Sequence, residues 1–115
     1  TGAPKNEGLY YLQSNDNGNN WTHPKKIGLN TAAFHGDIAV DDKGISIVWD
    51  AVGKTGSAIY FSSSQDDGQN WTEAKRLSLN GSASFPRVIS TKTGKLVLWS
   101  EQKTKLLKQL VIRSI

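Results

Sequence analysis

The hydrophobic positions of this chain fall in short clusters separated by turn residues. Residues 9–13 (Leu-Tyr-Tyr-Leu-Gln) and 59–63 (Ile-Tyr-Phe-Ser-Ser) are rich in apolar and aromatic side chains and read as strands. Residues 25–29 (Lys-Lys-Ile-Gly-Leu) and 75–79 (Lys-Arg-Leu-Ser-Leu) alternate polar and apolar, the pattern of a half-buried strand. Residues 37–41 and 87–91 come next, and a tight turn joins each to a last strand over 45–49 or 95–99. The turns are Asp42-Lys43-Gly44 and Lys92-Thr93-Gly94, where glycine tolerates the positive φ of a hairpin. Nothing longer than a turn has a helical period. The nearest case, residues 105–112, is rich in Leu, Val and Ile and fits a further copy of the aromatic strand.

These elements repeat. A shift of 50 residues lays Leu9-Tyr10-Tyr11 on Ile59-Tyr60-Phe61, Gly44 on Gly94 and Trp49 on Trp99 without a gap. The best-matched stretch is a turn, Ser-x-Asp-x-Gly-x-x-Trp, formed by Ser14, Asp16, Gly18 and Trp21 and again by Ser64, Asp66, Gly68 and Trp71. Each residue has a structural reason to be there. Short Ser and Asp side chains accept bonds from nearby backbone N–H groups. Gly adopts a conformation closed to residues with a Cβ. Trp covers the turn and is expected to pack into the sheet. Four strands per repeat, joined by short connections, predict one antiparallel sheet per repeat.

The paired turn resembles the Asp-box, or bacterial neuraminidase repeat, of the sialidase-like β-propellers. The resemblance covers nearly the whole chain and includes the strands that end in Trp49 and Trp99. It implies an all-β fold: a partial sialidase-like propeller of about two and a half four-stranded antiparallel blades, where a closed propeller has about 4–8. In this reading residues 1–33 are a half blade with the first Asp-box and 34–83 a complete blade with the second. Residues 84–115 are a last blade lacking its outer strand, ending in a strand over 109–114. The chain then reads as the C-terminal piece of a larger propeller. Its expected partners are the remainder of the propeller or a second copy, because open sheet edges and apolar faces favour association.

Composition narrows the function. The 115 residues carry a net charge of +4 with no cysteine and four tryptophans. Lacking cysteine, the chain has neither disulfides nor a thiol nucleophile. No apolar run reaches the roughly 18–20 residues of a membrane span, and Thr1-Gly2-Ala3-Pro4-Lys5-Asn6 has no signal-peptide core. Basic residues are spread out apart from Lys103-Thr104-Lys105-Leu106-Leu107-Lys108, so neither nucleic acid nor membrane is expected as a partner, while an acidic ligand or surface is compatible with the charge. A secreted, periplasmic or cell-surface location is expected. His23 and His35 have no carboxylate pattern around them, so no metal is expected, and no motif calls for a cofactor. Asn20-Trp21-Thr22 and Asn70-Trp71-Thr72 match glycosylation sequons but fall inside the repeated turn, where they read as coincidence.

By the resemblance, a ligand site would lie on the face opposite the Asp-boxes, built from residues 30–37, 50–57, 80–87 and 100–107. The substrate-binding candidates there are Arg87, Asp37, Glu101, Asp50 and His35. Sialidases of this family clamp the substrate carboxylate with three arginines and use a Tyr–Glu nucleophilic pair and an Asp acid/base. A guanidinium suits the clamp because it binds a carboxylate through two parallel hydrogen bonds. Of Arg76, Arg87 and Arg113, only Arg87 is placed for it; no tyrosine falls on that face, and the family's Arg-Ile-Pro motif is absent, Phe85-Pro86-Arg87 being a different sequence. The implied function is a fragment of a glycoside hydrolase acting on sialic-acid-type or related glycans, incompetent by itself. The alternative is a non-catalytic propeller module that binds carbohydrate or protein.

Overall fold

The computed structural model describes residues 7–54, 56–79 and 82–115. Among them are nine strands and no helix: β1 Leu9–Tyr11, β2 Lys25–Ile27, β3 Ala33–Asp41, β4 Gly44–Gly53, β5 Gly56–Ser64, β6 Lys75–Arg76, β7 Ala83–Ser90, β8 Lys95–Gln102 and β9 Lys108–Ser114. They form three antiparallel sheets in sequence order, β1-β2, β3-β4-β5-β6 and β7-β8-β9. Every segment with a strand-like pattern contains a strand. The lengths differ from expectation where pairing, rather than pattern, decides. β4 and β5 run past their apolar cores because nine residue pairs hold them together up to Gly53↔Gly56. β6 pairs only at Lys75 and Arg76. Beyond it the Leu77 amide still reaches the Ile59 carbonyl at 2.8 Å, but the Ile59 amide bonds the Ser78 hydroxyl at 3.0 Å in place of a backbone partner. The third sheet departs from the 50-residue shift: Trp49 faces Tyr60, whereas Trp99 faces Val111. Residues 105–107 also belong to the connection before β9, not to the strand.

Two cores hold the three sheets in a stack. One face of β4 (Ile45, Ile47, Trp49, Ala51) meets Ile27, Leu9 and Tyr11 of the first sheet. Its other face presents Val48, which joins Ile59, Leu77, Val88, Val97 and Trp99 across to the third sheet. Alternate side chains of a strand point to opposite faces, so both alternations of β4 are apolar or engaged. The outer faces lack such cover. Ile38 and Val88 occupy matching repeat positions, yet Ile38 is 49% exposed and Val88 6%, because only β7 has a complete sheet across from it. On the third sheet, the pairs Leu98↔Ile112 and Ser100↔Leu110 share the outer face, and Leu110 and Ile112 are exposed.

The two turns are built alike. The Ser14 hydroxyl donates to the Asp16 carboxylate at 2.8 Å and accepts from the Gly18 amide at 2.8 Å. Asp16 also takes the Asn20 amide at 2.8 Å and the Asn20 side chain at 2.7 Å, and the Trp21 indole donates to the Gly18 carbonyl at 3.1 Å. Ser64, Asp66, Gly68, Asn70 and Trp71 repeat the arrangement. The Asn side chains are therefore part of the turn, and their engagement agrees with reading the two sequons as coincidence. Backbone and side-chain hydrogen bonds from Asn20 and Asn70 hold both aspartates at a pKa of about 2, below the ordinary 3.8.

Surroundings distinguish the copies. Trp71 packs edge-on to Tyr11 at 5.0 Å, and a Cβ on Gly68 would lie 2.5 Å from the Tyr11 ring. Trp21 has no sheet before it among the described residues and is 60% exposed. The expectation that both tryptophans pack into a sheet thus holds for Trp71 alone.

Two outcomes follow for stability. Trp49→Ala, which empties a site only 1% exposed, should cost about 3–5 kcal/mol, while Trp21→Ala should stay within about 1 kcal/mol, both measured by urea unfolding. Because the turn aspartates have folded-state pKa values below the unfolded one, their contribution is complete above about pH 4 and is lost as pH falls through about 2. Asp66→Asn should lower the melting temperature at neutral pH and flatten its fall in that acid window.

Candidate functional site

At the strand ends opposite the repeated turns, β3 and β7 each carry a bulge, between Phe34 and Asp37 and between Ser84 and Arg87. A residue in the left-handed region sits in each, His35 at φ 50° and Phe85 at φ 58°. Bulges re-aim side chains and terminate regular pairing. Here they bring the two rings to 4.1 Å from one another.

The five candidate residues divide by what they touch. Asp50, 3% exposed at the end of the β4 core, lies 3.0 Å from His35 Nδ1 and accepts the Phe85 amide at 2.8 Å. Asp37 accepts the Val88 amide at 2.9 Å. Both carboxylates therefore tie the second sheet to backbone of the third, a placement that neither the spacing nor the repeat shows. Asp41 extends the seam by accepting from the Ser90 hydroxyl at 3.0 Å and pairing with Lys95 at 3.4 Å, and hydrogen bonds from Lys43 and Ser90 hold its pKa down. Glu101, 7% exposed, accepts from the Trp99 indole at 2.9 Å and lies 3.8 Å from Lys103.

His35 and Arg87 remain open. With Nδ1 donating to Asp50, the other ring nitrogen is left as the imidazole's free polar atom, and the side chain is 48% exposed. Arg87 is exposed and has no hydrogen-bond or ion-pair partner among the described residues. Both line a cavity of about 360 Å³ with Gly36, Asp37, Phe85 and Pro86. The Arg87 guanidinium at this opening can hold an anionic group through its N–H donors, whereas His35, with Nδ1 given to Asp50, offers Nε2 as a donor only in the protonated ring and as an acceptor otherwise. The other arginines are engaged elsewhere: Arg76 donates to the Ser78 carbonyl at 2.8 Å and Arg113 to the Leu77 carbonyl at 2.6 Å. A larger cavity, about 610 Å³, lies between β2 and the second turn and is lined by Lys25, Trp71 and Glu73 among others. No cluster of three or more metal-ligating side chains occurs among the described residues.

Sequence reasoning placed His35 and Asp50 on one face but did not pair them. No sequence signal pairs them: Asp50 lies opposite Phe34, and the bulge that follows, with His35 in the left-handed region, re-aims the next side chain onto the same carboxylate. No protein-family model, curated protein or solved structure matches this chain.

Asp50→Ala should cost about 1–3 kcal/mol in urea unfolding, since it removes a buried carboxylate and strands the part-buried Phe85 amide. Arg87→Ala, on exposed surface, should change stability by no more than about 0.5 kcal/mol.

Proposed function

We propose that these three sheets are a section of a sialidase-like β-propeller from a glycoside hydrolase acting on sialic-acid-type or related glycans. In this reading each sheet is a blade, the two Ser-Asp-Gly-Trp turns are Asp-boxes, and the bulged strand ends face the ligand. The observation that carries it is the His35–Arg87 cavity, which lies at the opposite strand ends from both turns and holds an arginine that the fold leaves free. A carboxylate-bearing sugar is the class of ligand that such an arginine suits. The section supplies an anion-binding contribution and no catalytic set: Asp37, Asp50 and Glu101 are engaged in structural bonds, and the tyrosines lie on other elements.

Those engaged carboxylates also favour a second reading, a non-catalytic module that binds carbohydrate or protein. One experiment separates the two. The 115-residue chain should not turn over a fluorogenic sialoside. In a longer protein containing these sheets, Arg87→Ala should raise KM for the sialoside while Asp66→Ala leaves the KM of the folded fraction unchanged. Hydrolysis by the short chain, abolished by Arg87→Ala, would refute the reading. A longer protein that binds sialosides without hydrolysing them would favour the module.

A further inference from the structure

The β8–β9 loop exposes apolar side chains on a well-bonded frame. Leu106 is 97% exposed and Leu107 53%, and Lys103, Lys105 and Lys108 flank them in solvent. The loop is not slack. The Lys103 amide donates to the Leu107 carbonyl at 2.8 Å, the Leu106 and Leu107 amides donate to the Thr104 hydroxyl at 3.3 and 3.1 Å, and the Gln102 side chain donates to the Thr104 carbonyl. Two bonds bring its neighbours to the same end of the molecule: Ser57 hydroxyl to Ala83 carbonyl at 2.5 Å, and Gln102 amide to Ser82 carbonyl at 3.0 Å. The β4–β5 turn there adds Val52, 61% exposed, and Lys54; Leu79, before β7, is 87% exposed.

Charge is distributed unevenly between the two ends. Near the loop, the acids of the second and third sheets are Asp50 and Glu101, both buried and paired, and half-buried Asp37, which accepts the Val88 amide; on the first sheet Glu7, before β1, is exposed. The exposed acids Asp16, Asp42, Asp66, Asp67 and Glu73 lie at the turn end, with Lys25, Lys43, Lys75 and Lys92 among them.

We propose that the β8–β9 loop, with the β4–β5 turn beside it, docks on a membrane bearing anionic lipid headgroups, Leu106 and Leu107 entering the interface while the flanking lysines contact the headgroups. Lysines near an anionic surface gain attraction that salt screens. Exposed leucines gain only where water can be left behind, and a membrane interface allows this while a soluble polyanion does not. No helix among the described residues is long and apolar enough to cross a membrane. This revises the sequence-based expectation of no membrane partner, and it is independent of the glycan reading.

The test is co-sedimentation of the chain with phosphatidylcholine vesicles with and without phosphatidylserine. Binding is expected only with phosphatidylserine. It should fall by about tenfold or more both in Lys103→Ser/Lys105→Ser/Lys108→Ser and in Leu106→Ser/Leu107→Ser. Because the chain has no cysteine, single cysteines report depth through an environment-sensitive dye. A label at Leu106→Cys should shift to the blue on vesicles, and labels at Lys92→Cys and Ile112→Cys should not. Absence of binding overturns the proposal, as does a shift at Ile112 greater than at Leu106, which would mean adsorption through the open sheet face. Binding that survives loss of the leucines, matched by binding to a soluble acidic polysaccharide, overturns it in favour of a polyanion.

Discussion

Burial of β4 on both faces is the constraint from which the rest of the arrangement follows. An antiparallel strand usually shows one face to a core and one to solvent. Here Ile45, Ile47, Trp49 and Ala51 fill one core while Val48 fills the other, and Ser46 and Asp50 are buried on that same second face. Such a strand is stable only with a sheet on either side. The first sheet meets it through Ile27, Leu9 and Tyr11, and the third through Val88, Val97 and Trp99. Ile27 at the end of β2 and Leu77 just after β6, each 1% exposed, show why short outer strands suffice: each puts one large apolar residue into a core while the rest of its segment stays irregular.

Polar contacts set the lateral order of the stack. Asp37, Asp41 and Asp50 reach from the second sheet to Val88, Ser90 and Phe85 of the third. A buried carboxylate is tolerated where amides and an imidazole satisfy it, and no buried side-chain polar atom among the described residues lacks a partner. The same bonds have a functional consequence. They engage Asp50 and one oxygen of Asp37, which lines the opening between the bulges together with His35 and Arg87, and leave Arg87 as its unpaired charge.

The open surfaces are the counterpart of that stacking. Where a complete neighbouring sheet exists, repeat-equivalent positions are covered; where it is incomplete, as at Ile38, or where none lies among the described residues, as at Trp21, Leu110 and Ile112, they are exposed. Leu106 differs from these, because it stands on a loop and not on a sheet face, so sheet stacking does not account for it. Its exposure on a well-bonded loop is what sets the β8–β9 connection apart from the open faces.

Sequence alone determined the local structure. The 50-residue shift, the alternation and the Ser-Asp-Gly-Trp spacing specify the strands and both turns, because these depend on side chains reaching backbone only a few residues away. Five site candidates were likewise visible as ionisable residues at one set of strand ends. Tertiary structure decided their roles. Asp50 meets Phe85, 35 residues further on, only because two bulges and two sheet faces bring them together, and nothing in local pattern carries that information. The same holds for the two turns. Their sequences and hydrogen bonds match, yet Trp71 is packed on Tyr11 and Trp21 is exposed, because burial is a property of what lies across from a residue and not of the residue itself.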